Sequence, residues 1–276
     1  MFKWRNLGKT ACDGAEIARS QCVILKRFCC SWGGGRVILA GMKRLCSVAL
    51  AVCAVLFSPV RAQQESADDL LQGMREMLAS QGSRDVAGHI RKGSLRVPFS
   101  LSARQETIVF QYKQGEVWKR FDVRIGDKKA ELLLVDNGKA VVMSPATYSQ
   151  PIAGTDVCYE DLSMRFLYWK GATLRTDSAD SRIKGRDCYI VQAPNPSPGT
   201  GQFATVLMWV DKENGTVWQI DGYDSKGKLR KRFTITSVQR LSNGSWFFKQ
   251  MKMEVRDPAT GRTTALNYLD MDDLKK

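Results

Sequence analysis

Few side chains in this sequence could take part in catalysis or bind a metal ion. His89 is the single histidine, so a His-rich metal site and a pair of catalytic imidazoles are both excluded. It lies between Gly88 and Ile90 without a serine or cysteine nucleophile motif, a context typical of a strand surface residue. Residues 211–215 (DKENG) lack the alternating ligands of a calcium loop and predict a turn. We therefore expect no catalytic residues, no metal ion and no cofactor, and the protein is predicted not to be an enzyme.

Cysteine is the other reactive side chain, and its distribution is uneven. Six of the eight cysteines precede Ala62, and only Cys158 and Cys188 follow it. In an oxidising compartment a disulfide between Cys158 and Cys188 is chemically permissible if their Cα atoms approach to about 5.5 Å. The sequence alone leaves this pairing open.

The positive charge is concentrated in the same amino-terminal segment. The 276 residues have a formal net charge of +14. Residues 1–62 contain 10 Lys and Arg against 2 Asp and Glu, whereas the rest of the chain contains 32 against 26. Because much of the excess lies in a segment that we expect to be removed, the charge does not indicate a nucleic-acid-binding protein.

Residues 42–62 have the three parts of a secretory signal peptide. They begin with a positive stretch (MKR), continue with 13 uncharged and mostly apolar residues (45–57), and end in the small-x-small pattern VRA. The apolar stretch is shorter than the roughly 20 residues that a membrane anchor needs. We predict export with cleavage after Ala62. A buried core helix is the less favoured alternative because the stretch has no polar face.

Residues 1–41 contain four cysteines and a GGG run without sustained periodicity. Because Met42 opens a complete signal peptide, the best explanation is a mis-assigned start codon or an unstructured extension. A cytoplasmic or metal-binding extension is the alternative, but the cysteine pair at 29–30 lacks Cys-x-x-Cys spacing.

Two segments after the signal peptide have helical patterns. Residues 66–80 begin with Ser66 as a capping residue and have two aspartates in the first turn. A second helical interruption at about residues 156–169 follows a capping sequence at 154–156 (GTD). The apolar residues that share a face are Leu70, Leu71, Met74, Met77 and Leu78 in the first helix, and Leu162, Phe166 and Trp169 in the second.

Most of the remaining chain alternates between apolar and polar residues with a period of two, which predicts antiparallel strands. Asn137-Gly138 between two apolar runs (131–135 and 139–143) is a strong hairpin signal. From Phe203 onward the pattern predicts a meander of five strands, and we count about 11 or 12 strands in all. We expect residues 63–276 to form one domain.

So many strands imply a strongly curved sheet. Residues 203–210 are apolar on both faces, whereas residues 117–125 and 229–238 carry charges on one face. A half-barrel with an apolar concave side, a solvated convex side and helices over the hollow satisfies both patterns. An outer-membrane barrel is disfavoured because it would place Arg120, Asp122 and Arg124 in lipid. The predicted fold class is therefore mainly antiparallel β (α+β).

Five short motifs follow one another in the second half of the chain: residues 154–162 (GTDVCYEDL), 209–211 (WVD), 223–228 (YDSKGK), 252–255 (KMEV) and 261–264 (GRTT). Their order and spacing resemble those of LolA-like outer-membrane lipoprotein-sorting proteins, over about residues 67–274. The resemblance implies a half-barrel of about eleven strands, with helices as a lid over an apolar cavity and no catalytic residues. It also implies a role in carrying acylated lipoproteins across the periplasm.

On this basis we expect a monomeric periplasmic protein of a Gram-negative-type envelope. It is expected to bind acylated lipoproteins or lipids, to contact an inner-membrane exporter and the outer membrane transiently, and not to bind nucleic acid. The alternatives are a carrier of lipids or glycolipids, a sensor of mislocalised lipoproteins on the same scaffold and, remotely, a hydrolase in the cleft.

A soluble carrier needs an apolar volume that closes over acyl chains, since each methylene group buried from water contributes about 0.8 kcal/mol. Methionine suits chains of irregular shape because its side chain is flexible. Each candidate is also consistent with an ordinary core position. The predicted lining residues are Leu70, Met74, Met77 and Leu78 on the first helix, Leu162, Phe166 and Trp169 on the second, and Met208, Phe247, Met251 and Met253 on the concave wall.

Overall fold

In the computed structural model of the protein, an antiparallel sheet spans residues 86–271. The structure describes residues 65–81, 85–104, 106–126, 130–176, 181–240 and 246–273, all within the compact unit Gln63–Lys276. The predicted signal peptide and residues 1–41 lie outside the described residues. None of the helices in these described ranges is long and apolar enough to cross a lipid bilayer.

The described residues form fourteen strands and four short helical segments. The helical segments are α1 (Ala67–Gln81), a first 3-10 helix (Pro145–Thr147), α2 (Tyr159–Ser163) and a second 3-10 helix (Arg165–Tyr168). The strands are β1 (Val86–Lys92), β2 (Leu95–Arg104), β3 (Thr107–Gln114), β4 (Val117–Ile125), β5 (Ala130–Asp136), β6 (Lys139–Val142), β7 (Thr173–Arg175), β8 (Arg182–Ile183), β9 (Arg186–Pro194), β10 (Thr205–Asp211), β11 (Val217–Tyr223), β12 (Leu229–Arg240), β13 (Trp246–Arg256) and β14 (Thr263–Met271).

Two meanders make up the sheet, and they meet where β1 pairs with β14. From this pair, β1 to β6 follow one another to one edge, and β14 back to β9 lead towards the other edge, formed by β7. The predicted open, curved and mainly antiparallel sheet is confirmed. The strand number is fourteen instead of about 11 or 12, because β7 and β8 have only three and two residues and carry no periodic pattern.

Alternation along the strands separates a concave face, which the helices cover, from a convex face. In β10, Met208 belongs to the main hydrophobic core on the concave side, whereas its neighbour Trp209 belongs to a smaller cluster on the other face. The prediction that this strand is apolar on both faces is therefore confirmed. The smaller cluster consists of Cys188, Ile190, Leu207 and Trp209.

The first predicted helix is present and begins one residue later than expected. The main-chain N–H of Asp69 donates to Ser66 Oγ at 3.1 Å, and the Ser66 N–H donates back to Asp69 Oδ2 at 3.2 Å. This reciprocal arrangement satisfies two of the donors that a helix start leaves unpaired, and it confirms Ser66 as the cap. Ala67, Leu70, Leu71 and Met74 form the buried face of α1.

The second predicted helix differs from the expectation at its start. α2 begins at Tyr159 and not near Asp156, because Asp161 accepts a hydrogen bond from the Cys158 N–H at 2.9 Å and makes Cys158 the capping residue. The expected cap at 154–156 instead forms a turn, in which the Thr155 hydroxyl donates to the Ile152 carbonyl at 2.7 Å.

The second interruption is also broken in its middle. Met164 has a left-handed backbone conformation (φ 45°), which ends α2 after five residues. The second 3-10 helix starts directly afterwards. A left-handed residue at a helix end is usually a glycine, and position 164 is a methionine. The sequence therefore predicts one continuous helix where two short ones form.

Candidate functional site

The candidate site is the hollow between the concave face of the sheet and the helices. α1 lies against the second 3-10 helix and against β7 and β9. Cavities of about 90 Å³ and about 60 Å³ lie in this hollow. Typical small-molecule sites enclose roughly 300–1,000 Å³, so a long ligand can enter only if side chains or helices move.

The larger cavity, which we call cavity 1, lies between α1, the second 3-10 helix and strands β11 to β13. Most of its wall is aliphatic or aromatic, and its polar side chains belong to Thr216, Gln219 and the indole of Trp218. The lining residues are Met74, Met164, Leu167, Thr216, Val217, Trp218, Gln219, Ile220, Phe233, Ile235, Val238, Phe247, Phe248 and Met251.

The smaller cavity, cavity 2, lies under α2 and against β1 to β3 and β12 to β14. Its two polar residues already have hydrogen-bond partners: Asp161 binds Lys231, and Ser163 Oγ donates to the Glu160 carbonyl at 3.1 Å. The lining residues are Val86, Phe99, Leu101, Ile108, Phe110, Val157, Asp161, Leu162, Ser163, Met164, Phe233, Phe247, Phe248, Met251, Leu269 and Met271.

Five residues line both cavities and separate them, and we call them the central wall. All are apolar, and the rings of Phe247 and Phe248 are stacked with centroids 4.7 Å apart. The flexible methionine side chains of the wall can change shape at low cost. The central wall consists of Met164, Phe233, Phe247, Phe248 and Met251.

The predicted lining residues fall into three groups. Four of them line a cavity: Met74, Leu162, Phe247 and Met251. Five others are buried in the hydrophobic core without lining either cavity: Leu70, Phe166, Trp169, Met208 and Met253. The side chains of Met77 and Leu78 lie outside the described residues. Whether any of these side chains contacts an acyl chain stays a prediction.

The disulfide that an oxidising compartment would permit is not formed in the structure. Cys158 and Cys188 are both buried free thiols. Cys158 lies beside α2, where its sulfur is 3.9 Å from the Lys231 ammonium, whereas Cys188 belongs to the smaller cluster on the convex face. Burial raises the pKa of both thiols, which keeps them protonated.

A buried ion pair fixes α2 to the sheet. The ammonium group of Lys231, on β12, donates to Asp161 Oδ2 at 2.5 Å and to the main-chain oxygen of Asp156 at 2.8 Å. The side chains of Lys231 and Asp161 are 9% and 1% exposed. Burial alone lowers the pKa of Lys231, but Asp161, Cys158 and Asp156 together outweigh burial and the net direction is upward. The ammonium group of Lys231 therefore stays charged.

The loop before α2 is held by a second set of hydrogen bonds. The fully buried Asn267 on β14 donates to Asp156 Oδ2 at 2.8 Å and accepts from the Asp156 N–H at 3.1 Å. Lys92, at the end of β1, donates to the other oxygen of the same carboxylate at 2.9 Å. Burial acts to raise the pKa of Asp156, but these partners outweigh it and the pKa is lowered.

Glu160 is the most deeply buried carboxyl group of α2, with 0% exposure. Its two oxygens accept from the Gln202 N–H at 2.6 Å and from the Arg165 guanidinium at 3.1 Å. Burial raises its pKa from 4.5 to about 7, against the opposing effects of these partners. Gly201 has φ +76°, and a Cβ on it would lie 2.4 Å from the carboxylate, so this close approach requires glycine.

The only histidine of the chain lies away from both cavities. Along β1, Val86 and Ile90 are buried on the concave side, and Val86 lines cavity 2. His89 alternates with them and therefore faces the convex side, where its Nδ1 is 3.8 Å from Asp272. This placement agrees with the expectation of a strand surface residue.

Sequence reasoning missed parts of the site. Lys231 lies on the same face of β12 as Phe233 and Ile235, and a lysine within an apolar stripe is a signal for a buried partner. Phe233 and Phe248 carry no comparable signal, since any inward-facing aromatic residue fits an ordinary core. Met164 reaches both cavities only because the helix breaks at its own position.

Several solved structures have similar folds. An outer membrane lipoprotein-sorting protein domain from Vibrio parahaemolyticus has a TM-score of 0.56 at 18% sequence identity, and the match covers 76% of this chain and 92% of that one. A LolA superfamily protein from Nitrosomonas europaea has a TM-score of 0.54 at 16% identity, with 77% and 95% covered. A DUF1329 family protein from Desulfovibrio piger has a TM-score of 0.56 at 16% identity, with 75% and 90% covered.

Comparisons of the sequence give less detail than those of the structure. No curated protein matches the chain. A family model described as "Uncharacterized protein" matches residues 132–274, slightly more than half of the chain, and this range includes α2, the central wall and the strands around cavity 1. The chain therefore belongs to the family that this model describes, and its fold is that of the LolA-like proteins.

Proposed function

We propose that this protein is a periplasmic carrier that shields the acyl chains of lipoproteins in cavities 1 and 2 and delivers them towards the outer membrane. The observation that supports this proposal most strongly is that cavities 1 and 2, between an open sheet and short helices, are lined mostly by apolar side chains. The LolA-like fold adds support, because one structural neighbour is named for lipoprotein sorting. The predicted signal peptide at residues 42–62 supports export.

The physical task of such a carrier is to keep long hydrocarbon chains out of water. Each buried methylene group contributes about 0.8 kcal/mol, so two or three chains represent tens of kcal/mol of unfavourable exposure. A cavity wall that can deform meets this demand better than a rigid one. Four methionines at the cavities, Met74, Met164, Met251 and Met271, supply side chains that can be displaced.

The two helices that cover the hollow are attached differently, and this difference suggests which one moves. α2 is held by the Lys231–Asp161 ion pair and by Gln202. The hydrogen bonds found for residues 67–76 of α1 stay within the helix and its cap, as in the 3.2 Å bond from Arg75 Nε to the Leu71 carbonyl. We therefore propose that α1 lifts to admit a chain while α2 stays in place.

The proposed partners are acylated lipoproteins or lipids, with transient contacts to an inner-membrane exporter and to the outer membrane, and the protein is proposed to act as a monomer. A lipid or glycolipid carrier, or a lipoprotein sensor, would use the same cavities. A hydrolase has less support, because Ser163 at cavity 2 donates to a main-chain carbonyl and the only imidazole faces the convex side.

The proposal is tested by mixing the exported chain (residues 63–276) with a fluorescent palmitoylated peptide and separating complexes from micelles by gel filtration. We expect the peptide to elute with the protein. Met251→Trp fills the central wall and should weaken this complex at least ten-fold. Val141→Trp is the matched control, because Val141 is 65% exposed on an edge strand and should leave binding unchanged.

Each outcome of this experiment has a defined meaning. Peptide that stays in micelles with every variant contradicts the proposed function. Equal binding by Met251→Trp and the unmodified chain places the ligand outside the cavities and contradicts the proposed site. Binding of phospholipid without binding of acylated peptide favours the lipid-carrier alternative.

A further inference from the structure

Strands β11 and β12 separate at one end of the sheet. Their pairing ends at Gln219 and Thr234, although β12 continues to Arg240. We call the space between the separated ends the notch, and define it by residues 216–219 at the start of β11 and residues 235–238 of β12. A strand that continues beyond its neighbour presents main-chain carbonyl groups that another donor can bind.

Cavity 1 reaches the surface of the protein at the notch. Its lining residues Val217, Ile235 and Val238 are half-buried, whereas Ile220 and Phe233, which line the same cavity, are buried. The wall of cavity 1 therefore passes from the core to solvent along the notch. An amphiphile whose hydrocarbon chain lies in this cavity can keep its polar end in water here.

The side chain of Lys184 lies across the notch. Its ammonium group donates to the main-chain carbonyl of Ile235 at 2.6 Å and contacts that of Thr236 at 3.5 Å. Both carbonyls belong to the part of β12 that continues beyond its pairing with β11. The same ammonium group is 5.7 Å from the centroid of the Trp218 ring on the other side of the notch. A cation is thus placed where cavity 1 meets solvent.

The backbone holds Lys184 in a conformation that is rare for lysine. Lys184 and Gly185 form the two-residue turn between β8 and β9, next to the paired residues Ile183 and Arg186, with φ values of 51° and 79°. Such turns prefer asparagine or glycine at the first position, because both central residues need a positive φ. A residue that is kept in a rare backbone conformation is a signal for a functional constraint.

The charge of Lys184 has no carboxylate partner among the described residues, since its ammonium group contacts carbonyl oxygens. Burial and the nearby positive charge of Lys252 lower its pKa. Arg186 differs, because its guanidinium group, 5.4 Å from the centroid of the same Trp218 ring, is paired with Asp211 at 3.1 Å. The notch therefore presents a positive charge that an anion from outside the protein could neutralise.

We propose that the notch is an anion subsite, in which Lys184 binds a phosphate or carboxylate group at the head of an amphiphile whose hydrocarbon chain lies in cavity 1. This inference rests on the proposed binding of acyl chains and adds the chemical class of the polar end. Phosphate and carboxylate oxygens both accept charge-assisted hydrogen bonds from an ammonium group. The site therefore favours a head group with a net negative charge over a zwitterionic one.

The test compares three amphiphiles that share a myristoyl chain: lysophosphatidylglycerol, zwitterionic lysophosphatidylcholine and myristate. Isothermal titration calorimetry measures their binding to residues 63–276 below the micellar concentrations. We expect lysophosphatidylglycerol to bind about ten-fold more tightly than lysophosphatidylcholine, and this preference to shrink at high salt. Lys184→Gln should abolish the preference and leave the affinity for lysophosphatidylcholine unchanged, because it removes a charge but no part of the cavity wall.

Three further variants keep the test decisive. Lys184→Arg retains the positive charge and should retain the preference. Lys226→Gln is the matched control, because Lys226 is exposed in the turn between β11 and β12, at the opposite end of β11, and this variant should also retain the preference. Ile235→Trp narrows cavity 1 at the notch and should weaken the binding of all three ligands. Circular dichroism establishes that each variant is folded.

The possible results separate this inference from the function on which it rests. Equal affinities of the unmodified protein for the two lysophospholipids, a preference that persists in Lys184→Gln, or undiminished binding by Ile235→Trp overturns the anion subsite and leaves a carrier. Loss of affinity for lysophosphatidylglycerol but not for myristate in Lys184→Gln supports the subsite and assigns it to phosphate, whereas loss for both assigns it to either anion. An unmodified protein that binds none of the three ligands contradicts the proposed function itself.

Discussion

Lys231 on β12 and Asp161 on α2 form an ion pair in which Nζ and Oδ2 are 2.5 Å apart, although both side chains are buried. The pair connects a helix over the cavities to the middle of the sheet. It also lies beside cavity 2, because Asp161 is one of the residues that line it. The position of α2 over the hollow therefore depends on an electrostatic contact inside an otherwise apolar region.

Removal of one member of this pair should destabilise the fold strongly. Lys231→Met leaves the Asp161 carboxylate buried without its cation, which typically costs about 3–5 kcal/mol. Urea denaturation at neutral pH measures this loss. Lys249→Met is the matched control, since Lys249 pairs with the exposed Asp273 and should change the free energy of unfolding by less than about 1 kcal/mol. Equal effects of the two substitutions would contradict the structural role of the buried pair.

The buried carboxyl group of Glu160 should make stability depend on pH between about 4.5 and 7. Its pKa is about 7 in the folded protein and ordinarily 4.5, so the folded state keeps a proton that the unfolded chain releases. Its contribution to stability is therefore fully present below pH 4.5 and is lost as the pH rises through 7. The shift corresponds to about 3 kcal/mol.

The test compares urea denaturation of Glu160→Gln and the unmodified protein from pH 5 to pH 8. The amide does not titrate, so the variant should lose this part of the pH dependence. Glu116→Gln is the control, because the Glu116 carboxylate is 93% exposed and pairs with Lys113 on the surface. A pH profile that is the same in Glu160→Gln and in the unmodified protein would show that Glu160 does not titrate in this range. Arg165, Asp161 and Lys231, which also influence the pKa of Glu160, are present both in the unmodified protein and in Glu160→Gln.

Gly222 on β11 should tolerate no side chain. A Cβ at this position would lie 2.3 Å from a ring carbon of Phe203, which is 2% exposed. Gly222→Ala should therefore destabilise the protein by about 1–3 kcal/mol. The same substitution in a Phe203→Leu background should cost less, because the smaller side chain leaves space for the methyl group.

Gly73→Ala provides the control for Gly222→Ala. Gly73 lies inside α1, and nothing is within 4 Å of a Cβ built there. Alanine should stabilise the helix by about 0.5–1 kcal/mol, the opposite sign from position 222. Thermal denaturation measures both changes, and two shifts of the same sign would be inconsistent with the packing described here.

The two cysteines of the described domain should be recovered as free thiols. We expect iodoacetamide to label neither Cys158 nor Cys188 in the native protein, since both are buried and their pKa values are raised. In denaturant without a reducing agent both should be labelled, as peptide mass spectrometry would show. A peptide that links Cys158 to Cys188 would contradict this expectation.

The local signals in the sequence predicted those elements whose own residues decide them. The cap of α1 depends on Ser66 and Asp69, three residues apart, and it is present. The hairpin between β5 and β6 depends on Asn137 and Gly138, which both adopt positive φ values as such a turn requires. The alternation in β10 likewise predicted a strand that is apolar on both faces.

Features that depend on distant parts of the chain were not predictable in this way. α2 starts at Tyr159 because the Asp161 carboxylate accepts a hydrogen bond from the Cys158 N–H. Asp156 is not available as a cap because its carboxylate is hydrogen-bonded to Asn267, 111 residues away. The residues that line a cavity differ from other core residues only through the curvature of the sheet. Met251 and Met253 are both buried on β13, yet only Met251 lines a cavity.

The central claim is that acyl chains bind under the helices and not on exposed apolar surface elsewhere. Exposed apolar side chains are present on β4 and β6, where Val117, Val141 and Val142 are 57%, 65% and 58% exposed. They offer a chain places to adsorb without entering the hollow. The two sites lie on different strands, so a chemical label can distinguish them.

The most direct measurement is photo-crosslinking of residues 63–276 with a palmitoylated peptide that carries a diazirine in its acyl chain, followed by mapping of the labelled residues. The account predicts adducts on residues of the central wall, chiefly Met164, Phe248 and Met251. Adducts confined to Val117, Val141 and Val142, or the absence of any adduct despite binding of the peptide, would contradict it.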